Sequence, residues 1–145
     1  MRAILQRVNF ASLKVNERLV SKIENGLLIY LGISVNDDQT KIAQLAKKIL
    51  NLRIFKDQND KMNYSVLDVK GEIMLVSNFT LYADATRGNR PNFAGAMDSL
   101  NALVLYNNLV DELRKFNINV VTGEFGKHMH IDVQNDGPVN IILEI

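Results

Sequence analysis

The sequence predicts an α+β fold: a single domain with a mostly antiparallel, barrel-like β-sheet and two helices packed on it. Three observations carry this. Short apolar runs of β type crowd both ends of the chain, and two stretches between them follow the 3.6-residue period of an amphipathic helix. No repeat, low-complexity tract or Pro/Gly-rich linker divides the 145 residues, so residues 1–145 read as one domain.

The elements follow in order. Ile4 to Val8 and Ser12 to Val15 read as short strands, Asn16-Glu17 as a turn, and Leu19 to Ile23 as the returning strand. Asn25-Gly26 punctuates. Leu27 to Leu31 has no polar face, which predicts a central strand covered on both sides. Asp37 or Asp38 can cap a helix over about Gln39 to Leu50, with Ile42, Leu45, Ala46, Ile49 and Leu50 on its apolar side. Lys56 to Lys61 reads as a loop or hairpin turn. Glu72 to Val76 is a second apolar strand leading into Ser77 to Leu81. Residues 84–95, with Arg87, Gly88, Arg90, Pro91 and Gly95, form an irregular basic loop. Asp98 caps a second helix over about Ser99 to Phe116, with Leu103, Tyr106, Leu109, Val110 and Leu113 as its buried stripe. Asn119 to Gly123 and Lys127 to Gln134 read as a hairpin. Asn135-Asp136-Gly137-Pro138 then reads as a rigid turn before a last strand, with exposed carbonyls and an X-Pro bond able to take the cis form.

Composition narrows the chemistry. There are no cysteines, which removes disulfides, thiolate nucleophiles and Cys-based zinc sites together. The N-terminus alternates apolar and polar residues and does not read as a signal peptide, and the longest apolar run is too short to span a membrane. Net charge is +1, so any phosphate-binding surface has to be local. There is no G-x-S-x-G elbow, no H-E-x-x-H and no P-loop. His128, His130 and Asp132 would share one face of a strand, either as a zinc-binding face or as an ordinary solvated one. Ser77-Asn78-Phe79-Thr80 ends a buried strand. Its N–H groups can face an oxyanion, or it can be a strand terminus with side-chain-to-backbone turn bonding. Phe125 is flanked by glycines and can stack on a nucleobase or pack back on the core.

Taken together, the segments Met1 to Val8, Ala46 to Phe55, Lys61-Met62-Asn63, Ser77 to Asp84, Arg90 to Phe93, Thr122 to Gly126 and Asn135 to Val139 resemble the D-aminoacyl-tRNA deacylases (the D-tyrosyl-tRNA deacylase family) along the whole chain. The resemblance implies a homodimeric cytoplasmic hydrolase with no cofactor and no metal. Its partner would be the 3′ end of aminoacyl-tRNA, with no membrane or DNA partner. It would cleave the ester of D-aminoacyl-tRNA and of glycine misattached to alanine tRNA, assisted by the terminal 2′-hydroxyl of the tRNA. The resemblance assigns Gly137 and Pro138 as a cis dipeptide that enters the partner's pocket and excludes L substrates, with Arg7 bracing it. Ser77, Asn78, Phe79 and Thr80 form the catalytic segment, in which the Phe79 and Thr80 N–H groups face the ester carbonyl. Ala102, Phe125 and Met129 surround the terminal adenosine and amino acid. Two positions leave the family pattern: Asn78 stands where the first motif has Gln, and Asn140 where the second ends in Thr. They motivate the alternative of a non-catalytic module that binds the tRNA 3′ end.

Overall fold

The computed structural model describes residues 1–145. The first fourteen residues after Met1 form one strand, β1 (Arg2–Val15), where the sequence suggests two. The irregularity near Asn9 is a shift in pairing register, between Gln6 and Val8 and again between Val8 and Phe10, and the chain does not break there. Asn16 and Glu17 both take positive φ, the signature of a two-residue type I′ hairpin, and lead into β2 (Arg18–Ile23). Strand β3 (Gly26–Gly32) pairs antiparallel with the first half of β1, from Arg2 opposite Gly32 to Val8 opposite Gly26. One edge of β1 therefore serves β3 and then β2.

A 3₁₀ turn at Gln39–Lys41 precedes helix α1 (Ile42–Asn51). Asp38 caps the 3₁₀ turn, accepting the Thr40 N–H at 2.8 Å, while Asp37 is buried and does other work. The apolar side of α1 is the predicted one. Strands β4 (Phe55–Lys56) and β5 (Met62–Tyr64) form a small separate hairpin around the polar 57–61 turn. Strand β6 (Glu72–Ser77) runs parallel to β3. The two strands meet so closely that a Cβ on Gly26 would lie 2.0 Å from the Glu72 carbonyl oxygen, so only glycine fits there.

Helix α2 (Ser99–Arg114) is capped by Asp98, whose carboxylate accepts the Leu100 and Asn101 N–H groups. It ends two residues before the expected Phe116, and Asn117 follows in the left-handed region that stops helices. Its buried stripe is Ala102, Leu105, Tyr106, Leu109, Val110 and Leu113. Leu103, placed in that stripe by the sequence, lies about 100° round from Ala102 and is 36% exposed.

The C-terminal region departs furthest from expectation. β7 (Val120–Thr122) pairs parallel with β6, making β6–α2–β7 a crossover unit. It does not form the expected hairpin with residues 127–134. Residues 130–134 instead open β8 (His130–Glu144), which pairs antiparallel with the other edge of β1 over most of its length. Nor is Gly137-Pro138 a turn between strands. Gln6 lies opposite Asn140 but Val8 lies opposite Asn135, so Asp136 to Val139 are looped out as a bulge inside β8. The Gly137-Pro138 peptide is cis, and Gly137 has φ +122°.

The six-stranded sheet runs β2-β1-β3-β6-β7, with β8 on the other edge of β1, and curls toward a barrel. Both faces are buried. Leu27, Ile29 and Leu31 of β3 join the helices in the larger core, whereas Leu28 joins Val8, Ala11, Leu13, Val15, Ile23, Met74 and Val76 inside the curl. Each fully buried Leu or Ile contributes about 1.5–3 kcal/mol, which is why β3 carries no polar face. No helix is long and apolar enough to cross a membrane.

Candidate active site

Strands β3, β6 and β7 are mutually parallel, so their carboxyl ends reach the same edge of the sheet. In such sheets the crevice beyond the strand ends is where ligands bind. A cavity of about 670 Å³ lies there. Ser77, Asn78, Phe79, Thr80, Ala102, Phe125 and Met129 all line it, as do Tyr30, Phe93, Met97 and Lys127. Strand alternation divides its walls. Tyr30 and Val76 project on the barrel side, and Leu31 and Ser77 on the helix side.

The segment that leaves β6 forms the ridge between these walls. The Asn78 N–H donates to the Leu31 carbonyl at 2.8 Å, continuing the β3–β6 ladder by one bond. The chain then turns into a 3₁₀ helix, Phe79–Tyr82. Asn78 Oδ1 caps that helix, accepting the Thr80 N–H at 3.1 Å and the Thr80 hydroxyl at 2.5 Å. The two readings of this segment thus both describe part of it. Thr80 is held in a local Asx turn and its N–H is occupied, whereas the Phe79 N–H has no partner in the chain. The Phe79 ring is 59% exposed and meets Phe93 edge-to-face at 5.1 Å. On the opposite wall Phe125 leans on Tyr106 at 5.6 Å. The Tyr106 hydroxyl donates to the Leu75 carbonyl at 2.7 Å, and burial raises its pKa well above the ordinary phenol range. It is a fixed structural donor that holds α2 and Phe125 on the sheet. Burial also raises the Tyr30 hydroxyl, keeping it neutral.

No carboxylate lines the cavity, and Lys127 and His128 are its only basic side chains. His128 makes no hydrogen bond with Ser77, Thr80 or Ser99, so no Ser–His or Thr–His couple is assembled. The His128 and His130 rings meet edge-on at 4.9 Å, but Asp132 does not join them in a three-ligand cluster, which removes the zinc reading of this strand. What remains is a cavity of backbone donors, aromatic walls and small residues. It suits binding and polarising a ligand better than attacking one covalently.

Arg7, Gly137 and Pro138 lie outside this cavity. Arg7 is 2% exposed, and its Nη1 donates to the Ile54 carbonyl at 2.5 Å. Its Nε lies 2.7 Å from Asp136 Oδ2, but the N–H is not aimed along that contact and finds no acceptor, so the contact is one of charge. A Cβ on Gly137 would lie 3.4 Å from Arg7 Nη2. The guanidinium therefore sits directly under the bulge. Asn140 accepts a cross-strand hydrogen bond from Gln6 Nε2 at 3.0 Å, just where regular pairing resumes.

Sequence reasoning overlooked Tyr30, Phe93 and Met97 as cavity residues. Tyr30 was legible in principle, since it ends an apolar strand whose parallel neighbour also ends at the site. Its burial on the barrel side hid it among core residues.

The fold and cavity define a class first: an α+β protein with a ligand crevice at parallel strand ends, equipped with positioning groups and no assembled nucleophile. Comparison with known proteins narrows it. The family model described as D-Tyr-tRNA(Tyr) deacylase matches residues 4–144. The chain is 48% identical over 145 residues to the D-aminoacyl-tRNA deacylase of Thermosipho melanesiensis, covering 99% of this chain and 97% of that one. It is 46% identical to the D-aminoacyl-tRNA deacylase of Clostridium botulinum, with the same coverage. Among solved structures, one titled c-Myc DNA Unwinding Element Binding Protein superposes with a TM-score of 0.94 at 41% identity, covering 100% of this chain and 99% of that one. A probable eukaryotic D-amino acid tRNA deacylase superposes with a TM-score of 0.85 at 17% identity, covering 99% and 98%. This chain belongs to the D-Tyr-tRNA(Tyr) deacylase family, whose members are hydrolases.

Proposed function

We propose that this protein hydrolyses the ester of D-aminoacyl-tRNA, and of glycine misattached to alanine tRNA, in the cytoplasm. The observation that carries the reading is the unpaired Phe79 N–H at the start of a 3₁₀ turn, in a cavity that holds neither a carboxylate nor an assembled nucleophile. In this reading the terminal adenosine lies among Ala102, Phe125 and Met129, and the Phe79 N–H donates to the ester carbonyl oxygen. Water adds to the carbonyl carbon, and its proton passes through the terminal 2′-hydroxyl to the departing 3′ oxygen as the acyl C–O bond breaks. The products are a free D-amino acid and a tRNA with its 3′-hydroxyl restored. A donor that meets the developing oxyanion is worth about 10²–10³ in rate, and it requires no covalent intermediate.

Chirality is assigned to a homodimer in which Gly137-Pro138 of one subunit enters the cavity of the other. The support is that Gly137 and Pro138 are exposed within the bulge, with Arg7 beneath it. The face around it is also suited to a second copy: Ile142 is 65% exposed and Val133 39% exposed. Carbonyls presented by the bulge would hold the α-ammonium, for which the cavity offers no carboxylate, and would leave no room for an L side chain. The test is deacylation of D-tyrosyl-tRNA and L-tyrosyl-tRNA by the purified protein. Hydrolysis of the D form alone is expected. Equal rates on both would overturn the chirality reading, and no hydrolysis of the D form with tRNA affinity retained would leave only a module that binds the tRNA 3′ end.

A further inference from the structure

The charge on the cavity wall continues beyond it. Lys127 and His128 stand on the wall. The His128 ring meets His130 at 4.9 Å, and His130 lies directly opposite Lys14 in the β1–β8 register. Cβ atoms of such facing pairs are about 4.5–5.5 Å apart. Leu13 and Ile131, one residue before Lys14 and one after His130, turn into the barrel core, so Lys14 and His130 share the outer face of the sheet. Neither Lys14 nor Lys127 is in an ion pair. Glu124, the acid nearest the wall in sequence, is already paired with Arg18. Asp132, opposite Ser12, is where the basic run ends. The opposite rim is aromatic, formed by Phe79 and Phe93. The basic residues of that side, Arg87 and Arg90, do not line the cavity.

A nucleoside bound in the cavity as the last unit of a chain must let that chain leave, and each further nucleotide carries a phosphate. An unneutralised phosphodiester is poorly accommodated against an apolar wall and well accommodated against free ammonium groups. We propose that the strip Lys127, His128, His130 and Lys14 carries the phosphodiester backbone of the single-stranded 3′ end as it leaves the cavity. This rests on the deacylase reading for the identity of the nucleoside, but not for the electrostatics. The lysines neutralise phosphates, and the imidazoles add hydrogen-bond donors or stacking faces between them.

The test compares the parent protein with Lys14→Ala/Lys127→Ala and with Arg87→Ala/Arg90→Ala, using uncharged tRNA as the binding probe over a series of salt concentrations. Losing two single-strand phosphate contacts should flatten the slope of log K against log salt by about 1.4. Raising salt from about 50 to about 200 mM would then weaken the lysine variant about sevenfold less than the parent. The ratio of kcat/KM for D-tyrosyl-tRNA to that for D-tyrosyl-adenosine, which has no phosphates, should fall in the lysine variant. An unchanged slope in that variant, flattening only in the arginine variant, or equal losses on both substrates would each overturn the strip. If the parent hydrolyses neither D substrate, the deacylase reading fails, and the salt slope of tRNA binding still decides the strip.

Discussion

Arg7 offers the sharpest separation of scaffold from selectivity. Its guanidinium is buried, donates to the Ile54 carbonyl at 2.5 Å, and faces Asp136 at 2.7 Å. Arg7→Met keeps most of the volume and removes both contacts. The Ile54 carbonyl is then left without its buried donor, at about 1–3 kcal/mol. Asp136 is 41% exposed, so water replaces much of its lost partner and that loss falls in the surface range of about 0–1 kcal/mol. The sum is about 1–4 kcal/mol, a fall in Tm of roughly 2–16 °C for a chain of this size. Arg7→Lys keeps the charge but not the planar fork, so it should recover part of the stability and little of the geometry. Because Asp136 directly precedes Gly137-Pro138, loosening it should lower the D/L ratio of kcat/KM, mainly through a rise on L-tyrosyl-tRNA. Thermal unfolding, with deacylation assayed well below both transitions, measures the two effects separately. A variant that loses the expected stability but keeps the parent's D/L ratio would refute the link from Arg7 to chirality. A variant with unchanged Tm would refute the energetic account of the brace.

Two further outcomes follow from other parts of the molecule. Asp37 is buried and accepts from the Met1 ammonium at 2.6 Å, from Lys41 at 2.6 Å and from the Ser34 N–H at 2.7 Å; burial alone would raise its pKa, but Lys41, the ammonium and the Ser34 N–H together outweigh it and hold the carboxyl below the ordinary value. Asp37→Asn should therefore cost about 3–5 kcal/mol at neutral pH; a depressed carboxyl stabilises above its unfolded pKa of about 3.9 and is lost as pH falls through the folded value, so the gap between denaturant titrations of parent and variant should begin to narrow below about pH 4 and close only below the folded value, and a gap that stays constant into acid would contradict the pairing. Phe79→Pro deletes the N–H at a first helical position preceded by extended Asn78, where proline is tolerated, and Phe79→Ala controls for loss of the ring. The proline variant should turn over D-tyrosyl-tRNA about 10²–10³ more slowly than the alanine variant; equal kcat in the two would eliminate this N–H as the oxyanion donor.

The fold was legible where local pattern and global pairing coincide. The α1 stripe, the Asn16-Glu17 hairpin and the two-sided burial of β3 all follow from periodicity or turn chemistry over a few residues. The misreadings lie where a long-range partner decides. Nothing local in Val120–Thr122 says that it pairs parallel with β6 across a helix. Nothing local in residues 130–144 says that β1, more than a hundred positions earlier, supplies their ladder. The Gly-Pro segment reads as a turn because bulges and turns share the same residues. Only the jump from Gln6 opposite Asn140 to Val8 opposite Asn135 separates the two. At the cavity, motif residues were visible as a segment, but Tyr30 and Met97 reach it through strand order and helix placement.

Asn78 shows how one local bond bears on the chemistry. Its short side chain closes an Asx turn onto Thr80, occupying the Thr80 N–H and hydroxyl together. The resemblance places Gln at this position, one methylene longer, and a longer side chain spans that turn less readily. The resemblance gives the ester carbonyl two donors, from Phe79 and Thr80. In this chain the Thr80 donor is already committed, so the Phe79 N–H stands as the free one unless the substrate oxygen displaces Asn78. Displacement would also free the Thr80 hydroxyl and the cap of the 3₁₀ turn, loosening the ridge that aims Phe79. Under the proposed reaction the two donors are coupled through one side chain, and a second donor would be gained only by loosening the turn that positions the first.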